Sequence, residues 1–113
     1  MADEVKWIKI TTGIFDSRKI KQIDAMPDSD AVLVIWFKLL CLAGTANDNG
    51  YLLLTDSIAY SEEMLASEFR RPLNTVRFAI ATFAKLGMIE LDLAPENQKI
   101  IRVKNWGKYQ NID

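Results

Sequence analysis

The hydrophobic pattern is clearest over residues 72–86, where apolar side chains recur every three or four positions and predict an amphipathic helix. The stripe predicted to face the core consists of Val76, Ala79, Ile80, Phe83 and Leu86. Pro72 suits the first turn of this helix, where its missing N–H group would be unpaired anyway, and Gly87 marks the end. The face predicted to point outward consists of Asn74, Arg77, Phe78, Ala81, Thr82 and Lys85. A face that meets only water has no need of a phenylalanine, so this outer face is a candidate binding surface.

Two helices are predicted in the first half of the chain. The first covers residues 16–25, with Asp16 or Ser17 as its N-cap and Ile20 and Ile23 pointing inward. The second covers residues 31–46, with Ser29 or Asp30 as its cap. It is apolar on nearly every side, which predicts a helix buried on most sides, either as the centre of the domain or also as part of a subunit interface.

The pattern also predicts strands and a short helix. The turn signal "NDNG" precedes a strand at residues 51–54. Ser61 caps a short helix, "EEMLASEF", whose Leu65 and Phe69 face the core. The segments "MIELDL" and "KIIRVKNW", separated by a polar loop, predict a β-hairpin. Residues 7–15 are predicted to form a short strand or an extended arm that packs its aromatic side chains into the core.

This order of elements predicts an α+β fold of the winged-helix type, a single domain over residues 1–113. In such a fold, a helix-turn-helix places its second helix in the major groove of DNA and the hairpin forms the wing. Arginine and asparagine suit guanine and adenine edges, and apolar groups suit the thymine methyl group. The candidate DNA-binding residues are Arg70, Arg71, Asn74, Thr75, Arg77, Phe78, Lys85, Lys99, Arg102 and Lys104.

Arg70, Arg71 and Thr75 are predicted to hold backbone phosphates, because they lie before or within the first turn of the helix. Lys99, Arg102 and Lys104 lie on the predicted wing strand, and Arg102 and Lys104 are predicted to share one face of it, which would make the wing basic. The wing itself is predicted at about residues 93–99. Simpler interpretations stay open. Every amphipathic helix has a polar face that water can solvate, Phe78 suits a core or a protein contact, and basic residues on an edge strand protect against aggregation.

Composition and charge narrow the class of protein. A pI of about 5.4 and a formal charge of −1 argue against a nonspecific coat on nucleic acid, although a local basic surface is compatible with them. With no histidine and only Cys41, we expect no metal site, no cofactor and no catalytic residues. Cys41 itself is predicted to be a small buried side chain. The apolar run at 31–44 contains Lys38 and is shorter than a membrane span, so no membrane partner is expected.

The segments "IWFKLLCLAG", "NGYL", "RPLNTVR" and "NWGKYQN" resemble the N-terminal domain of phage replisome organisers, and the resemblance covers nearly the whole chain. These proteins are relatives of the DnaD-like primosomal replication proteins of Gram-positive bacteria. The resemblance implies a non-enzymatic domain that binds the double-stranded DNA of a phage replication origin in the cytoplasm of the bacterial host. It also implies a longer protein, whose further region engages the host's helicase loader or helicase.

Two alternatives remain at this point. The domain is either mainly a self-association module, with DNA binding elsewhere, or a winged-helix transcriptional regulator. A homo-oligomer would use the arm around Trp7, Ile8 and Ile10, the second helix, and the aromatic tail at residues 106–109.

Overall fold

The computed structural model describes residues 6–94 and 97–110. In this part of the chain, four α-helices and two antiparallel β-hairpins confirm the predicted α+β class. The elements are α1 (Arg18–Asp24), α2 (Ser29–Ala46), β1 (Leu53–Thr55), β2 (Ile58–Ala59), α3 (Glu62–Phe69), α4 (Leu73–Lys85), β3 (Ile89–Ala94) and β4 (Gln98–Val103). Short 3₁₀ helices at Ile14–Asp16 and Trp106–Tyr109 flank them.

Side-chain caps fix where two of the helices begin. Ser17 accepts a hydrogen bond from the Ile20 N–H group at 3.2 Å, and Ser61 accepts one from Met64 at 3.1 Å. Both N-caps confirm the sequence prediction. The cap predicted for α2 is wrong, because Ser29 and Asp30 lie inside the helix. Asp28, with a left-handed backbone, precedes it and forms no side-chain cap.

Helix α2 is the centre of the core, but it is not buried on every side. Trp36 and Leu39 are buried against other elements, whereas Val34 and Cys41, seven residues apart, lie on an exposed stripe. The prediction of a buried Cys41 is therefore wrong, because an apolar neighbourhood in the sequence does not say which side of a helix meets solvent. The eighteen residues of α2 are long and apolar enough to cross a membrane. The sequence analysis took the apolar run at 31–44 as shorter than a membrane span, and the observed helix is longer than that run. The central core helix of a soluble protein can have the same length and composition.

The two hairpins differ in size. β3 and β4 pair from Ile89 opposite Val103 to Ala94 opposite Gln98, which confirms the predicted hairpin. Residues 95–96 of its loop lie outside the described residues.

The predicted extension of the last strand to Trp106 is wrong, because the chain turns into a 3₁₀ helix there. The strand predicted at 51–54 starts two residues later, and its partner β2 is too short to have produced a sequence pattern.

The turn at 48–51 joins α2 to the sheet. The Tyr51 N–H group donates to the Asp48 carbonyl at 3.0 Å, and both central residues, Asn49 and Gly50, have positive φ angles of 55° and 90°. Asparagine followed by glycine is the pair that such a turn favours. Gly50 also accepts a hydrogen bond from the Val103 N–H group at 2.9 Å, so this turn is fastened directly to the end of β4.

The N-terminal arm is extended, and its aromatic side chains point outward. Trp7 and Phe15 are 63% and 55% exposed, so the prediction that they enter the core is wrong. Ile8 and Ile14 are the residues that pack against the core instead. The arm is held by the Lys9 N–H group, which donates to the Tyr109 carbonyl at 2.6 Å.

Tyr109 makes the stability of this fold sensitive to alkaline pH. Burial raises the pKa of its hydroxyl above the ordinary value of about 10. The folded chain therefore keeps a proton that the unfolded chain releases, and the free energy of unfolding falls as the pH rises from about 10 through the folded pKa. We expect Tyr109→Phe to make this decline shallower in urea unfolding curves measured from pH 8 to 12. An equally steep decline in the variant would contradict the assignment.

Candidate nucleic-acid interface

The connection between α3 and α4 is a tight turn. Arg70 ends α3 with a left-handed backbone, at a φ angle of 56°, and its N–H group meets the carbonyls of Ala66 and Ser67. Pro72 then takes the position just before α4, not its first turn as predicted, and Leu73 begins the helix. A non-glycine residue in this conformation is disfavoured by roughly 1–2 kcal/mol. An arginine therefore stands at a position that glycine would occupy more easily.

Helix α4 buries the predicted stripe and exposes most of the predicted outer face. Val76, Ala79, Ile80 and Phe83 are buried, and Leu86, at the helix end, is half-buried. The exposed residues are Asn74, Arg77, Phe78, Ala81 and Lys85, while Thr75 is half-buried. Thr82 is buried, so its assignment to the outer face is wrong. The reason is that α4 packs against both α2 and α3, which makes the buried arc wider than a single stripe.

Arg77, which the sequence suggests as a base-reading residue, already has partners within the chain. Its Nε atom lies 3.4 Å from Oε1 of Glu62, and its Nη2 atom lies 3.2 Å from Oε2 of Glu63. All three side chains are substantially exposed, and exposed ion pairs contribute at most about 1 kcal/mol each. A phosphate or a guanine edge can therefore replace the carboxylates, but two negative charges remain beside the surface.

Arg71 caps the end of α3. Its Nη1 atom donates to the Arg70 carbonyl at 3.1 Å and to the Phe69 carbonyl at 3.3 Å, and the side chain is half-buried. Arg70, in contrast, is exposed. Of the two arginines predicted to hold phosphates, Arg70 is the accessible one, and Arg71 contributes to the structure of the turn.

The basic residues of the hairpin do not share one surface. Lys99 is exposed and borders a groove of about 470 Å³ that is also lined by Glu62 and Glu63. The Arg102 Nε atom donates to the Asn49 carbonyl at 3.2 Å, and its guanidinium lies over the Tyr51 ring at 5.2 Å. Arg102 therefore clamps the turn at 48–51.

Lys104 lies beyond the end of β4, where its N–H group donates to the Met88 carbonyl at 3.0 Å. The prediction that Arg102 and Lys104 share a strand face is wrong, because β4 ends at Val103. The structure thus brings together Arg70, Asn74, Arg77, Phe78 and Lys85 on α4 and the turn before it.

The sequence analysis missed the part played by Glu62 and Glu63. Glutamates in the first turn of a helix are expected from the helix dipole, so their presence carries no signal of a further contact. Only the packing of α3 on α4 brings them to Arg77, which is fourteen residues from Glu63. Among the described residues, no group of three acidic or cysteine side chains is placed to hold a metal ion.

Comparison with known families places this geometry in context. The family described as the N-terminal phage replisome organiser matches residues 7–113, which is nearly the entire sequence. The chain belongs to the N-terminal phage replisome organiser family. This confirms the resemblance seen in the sequence and gives the replisome-organiser domain a role related to phage replication. No curated protein and no solved structure matches the domain.

Proposed function

We propose that this replisome-organiser domain is a winged-helix module that binds double-stranded DNA at a phage replication origin. The observation that carries the proposal is the outer face of α4. Helix α4 follows α3 after a short turn, as the second helix of a helix–turn–helix does. On its outer face, Asn74, Phe78 and Lys85 are exposed beside Arg77. Side chains of these types match the hydrogen-bonding and methyl groups of base edges in the major groove.

The turn before α4 supports the same role. Arg70 is exposed in a disfavoured backbone conformation. This conformation ends α3 in a common helix C-terminal motif, in which the Arg71 N–H group donates to the Ala66 carbonyl at 3.1 Å, and it leaves the Arg70 side chain in solvent. From this position its guanidinium would contact a backbone phosphate while α4 enters the groove.

The β3–β4 hairpin supplies the wing in this proposal. Lys99 is exposed on it and borders the same groove as the glutamates that pair with Arg77, so it is the basic residue of the hairpin that we assign to the wing contact. Arg102 is held by the Asn49 carbonyl and the Tyr51 ring, and Lys104 lies beyond the end of β4, so neither is assigned to the base-reading surface. The function requires no enzyme activity and no cofactor. We place it in the host cytoplasm, with helicase or loader recruitment by a region beyond this sequence.

Fluorescence anisotropy tests the proposal directly. A duplex selected by the 113-residue chain from a randomised pool is compared with a scrambled duplex over a series of salt concentrations. We expect preference for the selected duplex and an affinity that falls linearly with salt on a log–log scale. Equal, weak binding to both duplexes at low salt would place the DNA-reading surface outside this domain. A selected site that is a single palindrome would instead favour a transcriptional regulator over an organiser that binds repeated origin sites.

The acidic partners of Arg77 give a second test. Replacing Glu62 and Glu63 by glutamine removes two negative charges and releases Arg77, so we expect DNA affinity to rise by up to about tenfold. Glu68→Gln is the matched control, because Glu68 is an exposed glutamate on the same helix without an ion pair among the described residues. Unchanged or lower affinity in the double variant would mean that Arg77 does not approach the DNA.

Self-association is a second candidate function, favoured by the exposed arm. Trp7 and Phe15 present large apolar surfaces to solvent, and aromatic side chains of this kind often anchor protein interfaces. Sedimentation velocity of the wild-type chain and of Trp7→Ser/Phe15→Ser measures it. A wild-type oligomer that dissociates in the variant supports an assembly role for the arm, and a monomeric wild-type chain removes it.

A further inference from the structure

A basic cavity lies at the end of α4 opposite to the proposed DNA-binding turn. It has a volume of about 120 Å³ and is enclosed by the arm, the start of α1, the turn after α4 and the segment 104–109. Of the described residues on its border, four are lysines and none is acidic; the lysines are Lys9, Lys19, Lys104 and Lys108. This volume is enough for several water molecules or for one hydrated tetrahedral anion.

The charge around this cavity is unbalanced. In the part of the chain that the structure describes, the residues that line the cavity include four lysines and no aspartate or glutamate. Within residues 6–94 and 97–110, the ion pairs are those of Arg77 with Glu62 and Glu63, so the four lysines have no carboxylate partner. Like charges that share a concave site repel one another, and an anion bound between them would relieve the repulsion.

Neutral donors border the same cavity. Trp36 is 1% exposed, and its indole N–H group has no acceptor among the described residues. The indole ring of Trp36 also lines the cavity, so a group bound there would lie against this ring. The Tyr109 hydroxyl is a further donor on this border, because a tyrosine is protonated at neutral pH.

We propose that this cavity binds a phosphate group. The residues that line it bring ammonium and hydroxyl groups from three separate segments of the chain, the arm, α1 and residues 104–109, which suits an anion with several oxygen atoms. Lys19 is the best-positioned ammonium group, because its Nζ atom is held by the Gly87 carbonyl at 3.2 Å on the cavity wall. The flexible lysine side chains act as point charges around the phosphate.

This site is separate from the proposed DNA-reading face. Helix α4 has thirteen residues and is about 20 Å long, with Arg70 before its start and Gly87 after its end. Phosphate binding in this cavity therefore does not depend on base recognition by the outer face of α4. The phosphate can be that of a small molecule or of the backbone of bound DNA, and the two sources are distinguishable.

The test follows the indole N–H signal of Trp36 in ¹H–¹⁵N NMR spectra. Inorganic phosphate replaces chloride at constant pH and ionic strength, and Trp36→Phe identifies the signal among those of the three tryptophans. We expect a saturable shift that requires at least about tenfold more phosphate in Lys19→Gln and in Lys104→Gln. Lys21→Gln is the matched control, because Lys21 is an exposed lysine of α1 outside the cavity, and it should titrate as the wild type does.

A second titration, with duplex DNA, identifies the source. A shift with inorganic phosphate supports a small-molecule site. A shift with the duplex only, lost in Lys104→Gln, supports a backbone phosphate. The proposal is overturned if neither titration moves the Trp36 signal, or if Lys21→Gln weakens the response as much as the two cavity variants do. The amide spectra of each variant report in the same experiment whether it is folded.

Discussion

Replacing Gly50 by alanine is expected to lower the free energy of unfolding by about 2–4 kcal/mol. Gly50 has a φ angle of 90°, which residues with a Cβ atom rarely adopt. A Cβ atom there would lie 2.9 Å from the Trp106 Cβ atom and 2.9 Å from the Val103 carbonyl oxygen. The turn would have to move away from β4, which would also disturb the 2.9 Å hydrogen bond between the Val103 N–H group and the Gly50 carbonyl.

Urea unfolding at neutral pH measures this effect. Gly13→Ala is the control, because Gly13 has a φ angle of −89° and nothing within 4 Å of an added Cβ atom. It should leave stability unchanged or slightly raise it by restricting the unfolded chain. A Gly50→Ala variant as stable as Gly13→Ala would show that the turn at 48–51 adjusts without loss, and that its attachment to β4 contributes little.

Replacing Arg77 by alanine is expected to weaken binding to the selected duplex by about 1–3 kcal/mol, or roughly five- to 150-fold. The loss should fall mainly on one base position, because a bidentate arginine discriminates among bases. Removing the guanidinium also leaves Glu62 and Glu63 unpaired beside the DNA, which adds repulsion to the lost contact. Folding should be little affected, since the ion pairs are exposed.

Two comparisons separate these contributions. Arg18→Ala removes an exposed arginine of α1 and should leave sequence preference unchanged. Arg77→Ala in a chain that already carries Glu62→Gln and Glu63→Gln measures the loss of the arginine contact without the uncovered carboxylates. A loss that is equal for all duplexes would make Arg77 a phosphate contact. No loss in either background would remove it from the interface.

The local elements of this fold were predictable because their signals are local. The apolar stripe from Val76 to Phe83 predicted α4, and Ser17 and Ser61 form the N-caps that serines commonly form. The motif "NDNG" predicted a turn, and Gly50 has the positive φ angle that this turn requires. The alternation in "MIELDL" likewise produced the correct hairpin. Each of these patterns reports a preference that one short segment already has on its own.

Features that depend on packing between distant segments were not predictable. Thr82 is buried because α4 packs against two helices. Cys41 is exposed because the stripe of α2 on which it lies does not pack against the described core. In the candidate site, Arg102 is drawn to the Asn49 carbonyl, 53 residues away, and Arg77 to two glutamates on α3. A list of basic residues with suitable spacing cannot show which of them already have partners.

The exposed Cys41 sets a limit on covalent assembly. A chain with a single thiol can form a disulfide with only one other chain, so oxidation joins these molecules in pairs and stops there. The bond can form only when the Cα atoms of the two cysteines come within about 7 Å, which requires the α2 helices of both chains to meet at their exposed stripes. Rapid, complete disulfide pairing would therefore reveal an α2-to-α2 contact in solution, whereas contact through the Trp7 arm would leave the thiols free.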